Sequence, residues 1–186
     1  LEKLTLKLGG QTVLDKVSLK VEPKIHIVIG LNGSGKSSLL KTIAGIWQLD
    51  TGIVSINGRN ISGLPPEDRR VGYVPQHQAL FRNMSVEQNI RYCLRNKRGN
   101  NARIDGLIDM LGLKDFLAKR PETLSGGYQS RVSLARTLAS EPEILLLDEP
   151  LCDLDVSIKE RLIPTFKAAL KAQSIPVIYV THDALE

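Results

Sequence analysis

Gly30-Leu31-Asn32-Gly33-Ser34-Gly35-Lys36-Ser37 fits the spacing G-x-x-x-x-G-K-[ST], a pattern suited to cradling nucleotide phosphates. Glycines let backbone N–H groups turn inward onto an anion where a Cβ would obstruct them. Lys36 supplies a point charge for the β- and γ-phosphates, and the Ser37 hydroxyl can ligate a Mg²⁺ that bridges them. An aliphatic run, Ile25–Ile29, precedes the loop, and a helically spaced stretch opening at Ser38 follows it. The cradle therefore ends at a helix N-terminus, where the dipole favours phosphate. An ordinary glycine-rich turn explains neither the flanks nor the Gly-Lys-Ser ending.

Two carboxylates stand at the end of a second aliphatic run, Glu143-Ile144-Leu145-Leu146-Leu147-Asp148-Glu149-Pro150. Closing a buried strand puts the Asp148 carboxylate beside the cradle, where it can hold the magnesium directly or through water. Glu149 follows it immediately, a second carboxylate at the same strand end. Simple helix capping by the two acids is disfavoured by Pro150 and by the upstream cradle.

Three further segments narrow the chemistry: Leu124-Ser125-Gly126-Gly127-Tyr128-Gln129, Tyr179-Val180-Thr181-His182-Asp183, and Gly72-Tyr73-Val74-Pro75-Gln76. In this order, over essentially the whole chain, these residues resemble the nucleotide-binding subunit of ATP-binding-cassette transporters. The resemblance implies that Glu149 is the general base, that Gln76 ligates magnesium and senses the γ-phosphate, and that His182 contacts the γ-phosphate from the far side. It also implies that Ser125, Gly126 and Gly127, with Asp155 nearby, close on ATP held by a second copy of the chain in a head-to-tail dimer. Leu8 and Val13 fall where the adenine is covered. Several positions depart from the family pattern: Leu8 replaces a stacking aromatic, Tyr128 replaces Gln or Glu, and Cys152 and Asp153 replace small Ser-Ala.

The implied protein is an ATPase with ATP and Mg²⁺ as cofactors, peripheral on the cytoplasmic face of the membrane. It would power solute import through transmembrane permease subunits, with a solute-binding protein as an indirect partner. The segments Leu64–Gln76 and Ala79–Val86 look most like binding-protein-dependent importers, and among them the group handling molybdate, tungstate or other small solutes. Three competitors share the same head. A DNA-bound maintenance protein would carry long coiled coils between cradle and signature, yet no sustained heptad lies between Lys36 and Leu124, and no nucleic-acid partner is expected. A ribosome factor would carry two tandem cassettes. A non-catalytic regulatory module would not need Lys36, Asp148, Glu149 and His182 together.

These residues need a scaffold that brings distant segments to one place. Leu4–Leu8 and Val13–Val21 alternate as half-buried antiparallel strands, turned at Gly9-Gly10. The runs Ile25–Ile29, Ile144–Leu147 and Val177–Val180 lack alternation, as strands of a parallel sheet covered on both faces do. Helical patterns at Ser37–Ile46, Arg131–Ala139 and Val156–Ala172 alternate with them, and Val86–Leu94 and Ile104–Leu111 lie between. The expectation is an α/β P-loop NTPase fold with a mostly parallel core sheet, an antiparallel β subdomain and an inserted helical subdomain. As a single domain over 1–186, residues 1–78 and 141–186 would form the nucleotide-binding core, and 79–140 the helical insertion ending in the signature and its helix. Ligands bind at the carboxyl ends of such strands, where Gly30, Asp148 and His182 can converge. His26, within an aliphatic strand, reads as a core residue, and His77 as a loop histidine.

Composition sets outer bounds. The 186 residues are enough for one domain with a real core, and the 4% aromatic share leaves the filling to aliphatics. No apolar run approaches the ~20 residues of a membrane span, and no leader pattern opens the chain. The net charge of +5 is scattered apart from Arg95, Lys97 and Arg98, which read as solvated loop charge. Cys93 and Cys152 form no C-x-x-C pair and suit a reducing compartment. Without an initiating Met, and with a strand pattern at once, the sequence reads as the core piece of a longer chain.

Overall fold

The structure is a computed structural model and describes residues 1–183. In chain order the strands and helices are β1 (Glu2–Leu8), β2 (Gln11–Val17), β3 (Ile25–Ile29), α1 (Lys36–Ala44), β4 (Thr51–Ile53), β5 (Ser55–Ile56), β6 (Arg59–Asn60) and β7 (Val71–Val74). Then follow α2 (Val86–Ile90), α3 (Asn101–Met110), α4 (Gly126–Ala139), β8 (Ile144–Asp148), α5 (Val156–Lys171) and β9 (Val177–Thr181). Gly9 and Gly10, both at positive φ (56° and 83°), turn β1 into β2 as a two-residue hairpin requires. β4 adds to the other side of β1, giving an antiparallel sheet in the order β2-β1-β4. β2 stops at Val17 rather than Val21, although the chain still runs beside β1, with Leu19 N–H donating to the Leu1 carbonyl at 3.2 Å.

β3, β9, β8 and β7 pair in that order, all parallel, as the aliphatic runs predict for the first three, while β7 has no such run. Side chains alternate across the sheet, so neighbours in sequence belong to different cores. Leu145, Leu147, Val177 and Tyr179 pack with the helical side, against Ile90, Leu134, Leu138 and Phe166. Ile144, Leu146, Ile178 and Val180 pack with α1 and the antiparallel sheet, against Leu40, Ile43, Leu4 and Leu6. Burial on both faces holds for β8 and β9 but not for β3. That strand is at the sheet edge, with Ile27 54% and Ile29 63% exposed, and periodicity alone does not distinguish edge from centre. His26 is accordingly half-buried rather than a core residue, and its Nε2 lies 3.1 Å from the Glu22 backbone.

Between Ala79 and Ser140 the regular elements are all helical: α2, α3, α4 and short 3-10 turns. The expected helix Val86–Leu94 divides into α2 and a 3-10 turn over Arg91–Asn96. Its start is a capping box, with Ser85 Oγ accepting from Gln88 N–H and the Gln88 side chain accepting from Ser85 N–H. α4 begins at Gly126, five residues before its apolar periodicity, because the first turn is glycine-rich and carries no hydrophobic signal.

α1 positions the cradle. Its buried stripe includes Leu39, Leu40 and Ile43. Its last turn closes on Gly45 at φ 81°, with Ile46 N–H reaching back to the Lys41 carbonyl at 2.9 Å, a Schellman ending. Arg69, 4% exposed, seals that end by donating to the carbonyls of Thr42 (2.9 Å), Ile43 (3.1 Å), Ser62 (2.8 Å) and Leu64 (2.7 Å).

Candidate functional site

The cradle joins β3 to α1. Gly33 and Gly35 adopt φ of 80° and 90°, the left-handed region in which glycine carries no steric penalty. A Cβ on Gly35 would also crowd the Val13 carbonyl at 3.1 Å, so β2 lies directly against the cradle. Lys36 is 8% exposed, and its ammonium donates to the Gly30 and Leu31 carbonyls at 2.7 and 2.9 Å. Those bonds hold the charge over the mouth of the loop, while the N–H groups at the start of α1 face the same space.

β8 delivers the carboxylates. Asp148 is 2% exposed, and both its oxygens are engaged: Ser37 Oγ donates to Oδ1 at 2.7 Å, and Tyr73 OH donates to Oδ2 at 2.9 Å. Burial first, then the Asp148 charge and the hydrogen bond to it, push the Tyr73 phenol above its ordinary pKa, so it remains a donor. Glu149 takes a left-handed backbone (φ 48°), with its N–H donating to the Val180 carbonyl at 3.0 Å. Its side chain thereby leaves the strand direction and meets His182, whose Nδ1 lies 2.7 Å from Glu149 Oε2. A carboxylate only accepts, so the imidazole donates from Nδ1. Beneath His182 the chain is pinned twice, by Asp183 N–H donating to Thr181 Oγ1 (2.9 Å) and by Lys159 Nζ donating to Asp183 Oδ2 (2.9 Å).

Together these groups line one open cleft of about 320 Å³ at the carboxyl ends of β3, β8 and β9. Asn32, Gly33, Gly35, Lys36, Ser37 and Ser38 form its floor, and Gln76, Glu149 and His182 its wall. Gln76 leaves β7 and reaches the cleft across a contact with the Cys152 thiol. Burial, the largest influence, pushes that thiol up in pKa, while its hydrogen bond with Gln76 opposes the rise. His77 is exposed, as a loop histidine would be, and pairs with Asp153 at 3.3 Å. Both replaced positions of the interface loop therefore contact the Gln76 segment.

Other predicted residues lie elsewhere. Leu8, 37% exposed at the end of β1, is not among the residues lining this cleft. Ser125 is exposed at the N-cap of α4 and makes no side-chain cap bond, and it too lies off the cleft. Gly126 and Gly127 are packing positions: a Cβ would come within 2.8 Å of Leu154 and 3.1 Å of Ile158 and Leu162, respectively. Tyr128 turns inward, its ring 4.1 Å from that of Phe116 and capped by the Arg131 guanidinium. Asp155 is exposed at the N-cap of α5. The cysteines are free thiols.

The donor set suits a hard divalent cation. Ser37 Oγ and Asp148 Oδ1 are oxygens 2.7 Å apart, and Gln76 brings a third donor to the same cleft. Among the described residues no cluster of three or more His, Cys, Asp or Glu could hold a metal on its own. One carboxylate and one hydroxyl, completed by phosphate oxygens and water, is how Mg²⁺ is ordinarily held. Tyr73 is the contact that sequence reasoning missed. Its parity with Asp148 across two adjacent strands becomes visible only once β7 is known to pair with β8, with Tyr73 opposite Leu146.

The model of the ABC transporter family matches residues 14–152. The molybdate/tungstate import ATP-binding protein WtpC of Methanocaldococcus jannaschii is 45% identical over 177 residues, 93% of this chain and 59% of that protein. The sulfate/thiosulfate import ATP-binding protein CysA of Mycobacterium tuberculosis is 40% identical over 187 residues, 98% of this chain and 53% of that protein. The chain thus spans between half and two thirds of the length of these relatives. Among solved structures, cbiO1 from Clostridium perfringens, part of the ABC transporter complex cbiONQ, superposes with a TM-score of 0.85 at 26% identity. That match covers 98% of this chain and 77% of cbiO1. No helix among the described residues is long and apolar enough to cross a membrane.

Proposed function

The chain belongs to the ABC transporter family, and we propose that it binds ATP with Mg²⁺, hydrolyses it, and powers import of a small solute through partner membrane subunits. The observation that carries this reading is the convergence of Lys36, Ser37, Glu149 and His182 on one cleft, with Asp148 bonded to Ser37 behind it and Glu149 bonded to His182. Ser37, Asp148 and Gln76 would hold magnesium, which when bound would offset the negative charge of the phosphates and make the phosphorus more electrophilic.

The chain's own groups do the rest. The cradle N–H groups and Lys36 bind and orient the β- and γ-phosphates. His182 occupies Glu149 Oε2 and leaves Oε1 to accept the proton of a water in the cleft. Gln76 reports occupancy of the cleft to the helical residues 79–140, which we take as the docking module for the permease. Ser125, Gly126, Gly127 and Asp155 face away from their own cleft and suit the nucleotide of a second, head-to-tail copy. The subunit would then act peripherally at the cytoplasmic face. The relatives named for molybdate/tungstate and sulfate/thiosulfate favour an oxyanion as the solute, delivered by a binding protein.

Glu149→Gln tests the reading. The isosteric amide should bind ATP as the natural protein does and release no phosphate, while Lys36→Ala should lose about tenfold to a hundredfold in ATP affinity, the worth of one charge-assisted contact. Wild-type turnover by Glu149→Gln, or unchanged affinity in Lys36→Ala, would sink it.

A further inference from the structure

We propose that Tyr73 is a positioning residue for the metal: its hydroxyl clamps Asp148 so that a single carboxylate oxygen, Oδ1, is presented beside Ser37 to the cation. The inference rests on the MgATP reading above and assigns a role to a residue of the Gly72–Gln76 segment for which the resemblance implies none.

Three observations carry it. First, the two oxygens of Asp148 are divided between different donors: Oδ1 takes the Ser37 hydroxyl at 2.7 Å, and Oδ2 takes the Tyr73 hydroxyl at 2.9 Å. Second, Asp148 is 2% exposed, so an oxygen without a protein donor there would have little access to water and would carry a desolvation cost. Third, the clamp is mounted on rigid elements. Tyr73 is on β7 and Asp148 on β8, hydrogen-bonded neighbours in the parallel sheet, with Tyr73 in register with Leu146. Asp148 lies two residues further along the same face, within reach of a phenol and beyond the reach of a shorter side chain.

Geometry then selects the mode of binding. A free carboxylate can swing or chelate through both oxygens, whereas Mg²⁺ demands near-octahedral placement at short distance and tolerates little misplacement. With Tyr73 anchoring Oδ2, the carboxylate is fixed in the orientation that turns Oδ1 toward Ser37, from where its remaining lone pair can reach the cation directly or through a water. Groups that orient a ligand in this way typically matter by tenfold to a hundredfold in metal affinity.

Tyr73→Phe removes the hydroxyl and keeps the ring. In the natural full-length protein, ATP affinity is measured by calorimetry with excess Mg²⁺ and again with EDTA, and the ratio of the two is the metal's contribution. We expect that ratio to fall by about tenfold to a hundredfold in Tyr73→Phe, with affinity in EDTA unchanged. The same comparison by thermal shift, MgATP against ATP with EDTA, reads the metal-dependent stabilisation whatever the starting stability of the variant. In an Asp148→Asn background the Tyr73→Phe change should add nothing to the ratio. An unaltered ratio, an equal loss with and without metal, or a Tyr73 effect that persists in Asp148→Asn would each overturn the proposal. If wild-type protein fails to bind ATP in either arm, the fault lies with the MgATP reading and not with Tyr73.

Discussion

His182 Nδ1 donates to Glu149 Oε2 at 2.7 Å, a side-chain contact between the residues that directly follow β9 and β8 at the mouth of the cleft. Glu149 is 8% exposed, so its carboxylate is held in one orientation by the imidazole rather than by solvent.

That dependence predicts a non-additive pair. His182→Ala should lower kcat by about a hundredfold or more while ATP binding persists, since the proton acceptor loses its orientation. The double variant His182→Ala/Glu149→Gln should be no slower than Glu149→Gln alone, because the two act as one unit. Steady-state phosphate release on all three proteins decides it, and multiplicative losses would show that the residues act independently.

Leu8 leads to a prediction about the base. If Leu8 covers the adenine as the resemblance implies, an aliphatic residue stands in place of a stacking ring, so affinity should come mainly from phosphate contacts and the base edges should be read weakly. GTP should therefore be hydrolysed within roughly an order of magnitude of ATP, a difference of about 1.4 kcal/mol. Leu8→Tyr should tighten ATP binding by about 0.5–1.5 kcal/mol, the size of one aromatic interaction. Calorimetry on this variant, with rates on both nucleotides, would refute the idea if ATP is strongly preferred and Tyr brings no gain.

Arg69 should be a stability determinant far from any chemistry. Arg69→Met would leave the buried carbonyl of Ile43 at the end of α1 without its donor, along with those of Ser62 and Leu64, while Thr42 would keep only the Gly45 N–H. The expected loss is about 3–5 kcal/mol, as for other broken buried networks, and urea unfolding measures it. A loss below about 1 kcal/mol would mean that water replaces the guanidinium.

Pro164 offers the opposite sign. It sits inside α5, exposed, where it withholds one helical hydrogen bond. α5 forms nonetheless because Leu162, Phe166, Ala169 and Leu170 bury a common stripe. Pro164→Ala should recover part of the roughly 3 kcal/mol that an interior proline costs, less the ~0.4–1 kcal/mol by which proline stiffens the unfolded chain. A net gain of about 1–2 kcal/mol by denaturant unfolding is expected, and no gain would indicate that the helix has already relaxed around the ring.

Elements whose burial is uniform were legible from composition alone: Ile144–Asp148 and Val177–Thr181 are strands within one residue of their aliphatic runs. The cradle and both carboxylates were legible because their chemistry demands fixed residue types at fixed spacing. Sheet order was not. Ile25–Ile29 has the same aliphatic character as the central strands and yet lies at the edge, because position in a sheet depends on which distant segments pair. Val71–Val74, short and broken by Gly72, carried too little pattern to announce a strand, and the Tyr73 contact went unseen with it. Glycine there is a packing requirement, since a Cβ on Gly72 would press within 2.8 Å of Thr137 on α4.

The glycines that open α4 bear on how loss-of-function variants are interpreted. A Cβ at Gly126 would meet Leu154 at 2.8 Å, and one at Gly127 would meet Ile158 and Leu162 at 3.1 Å, so these side chains must give way within a single chain. A Gly126→Ala or Gly127→Ala protein that fails to hydrolyse ATP would thus be ambiguous evidence about recognition between two copies, because packing inside one copy changes as well. Ser125, exposed and without a cap bond, is the position where a substitution would question the partner and spare the monomer.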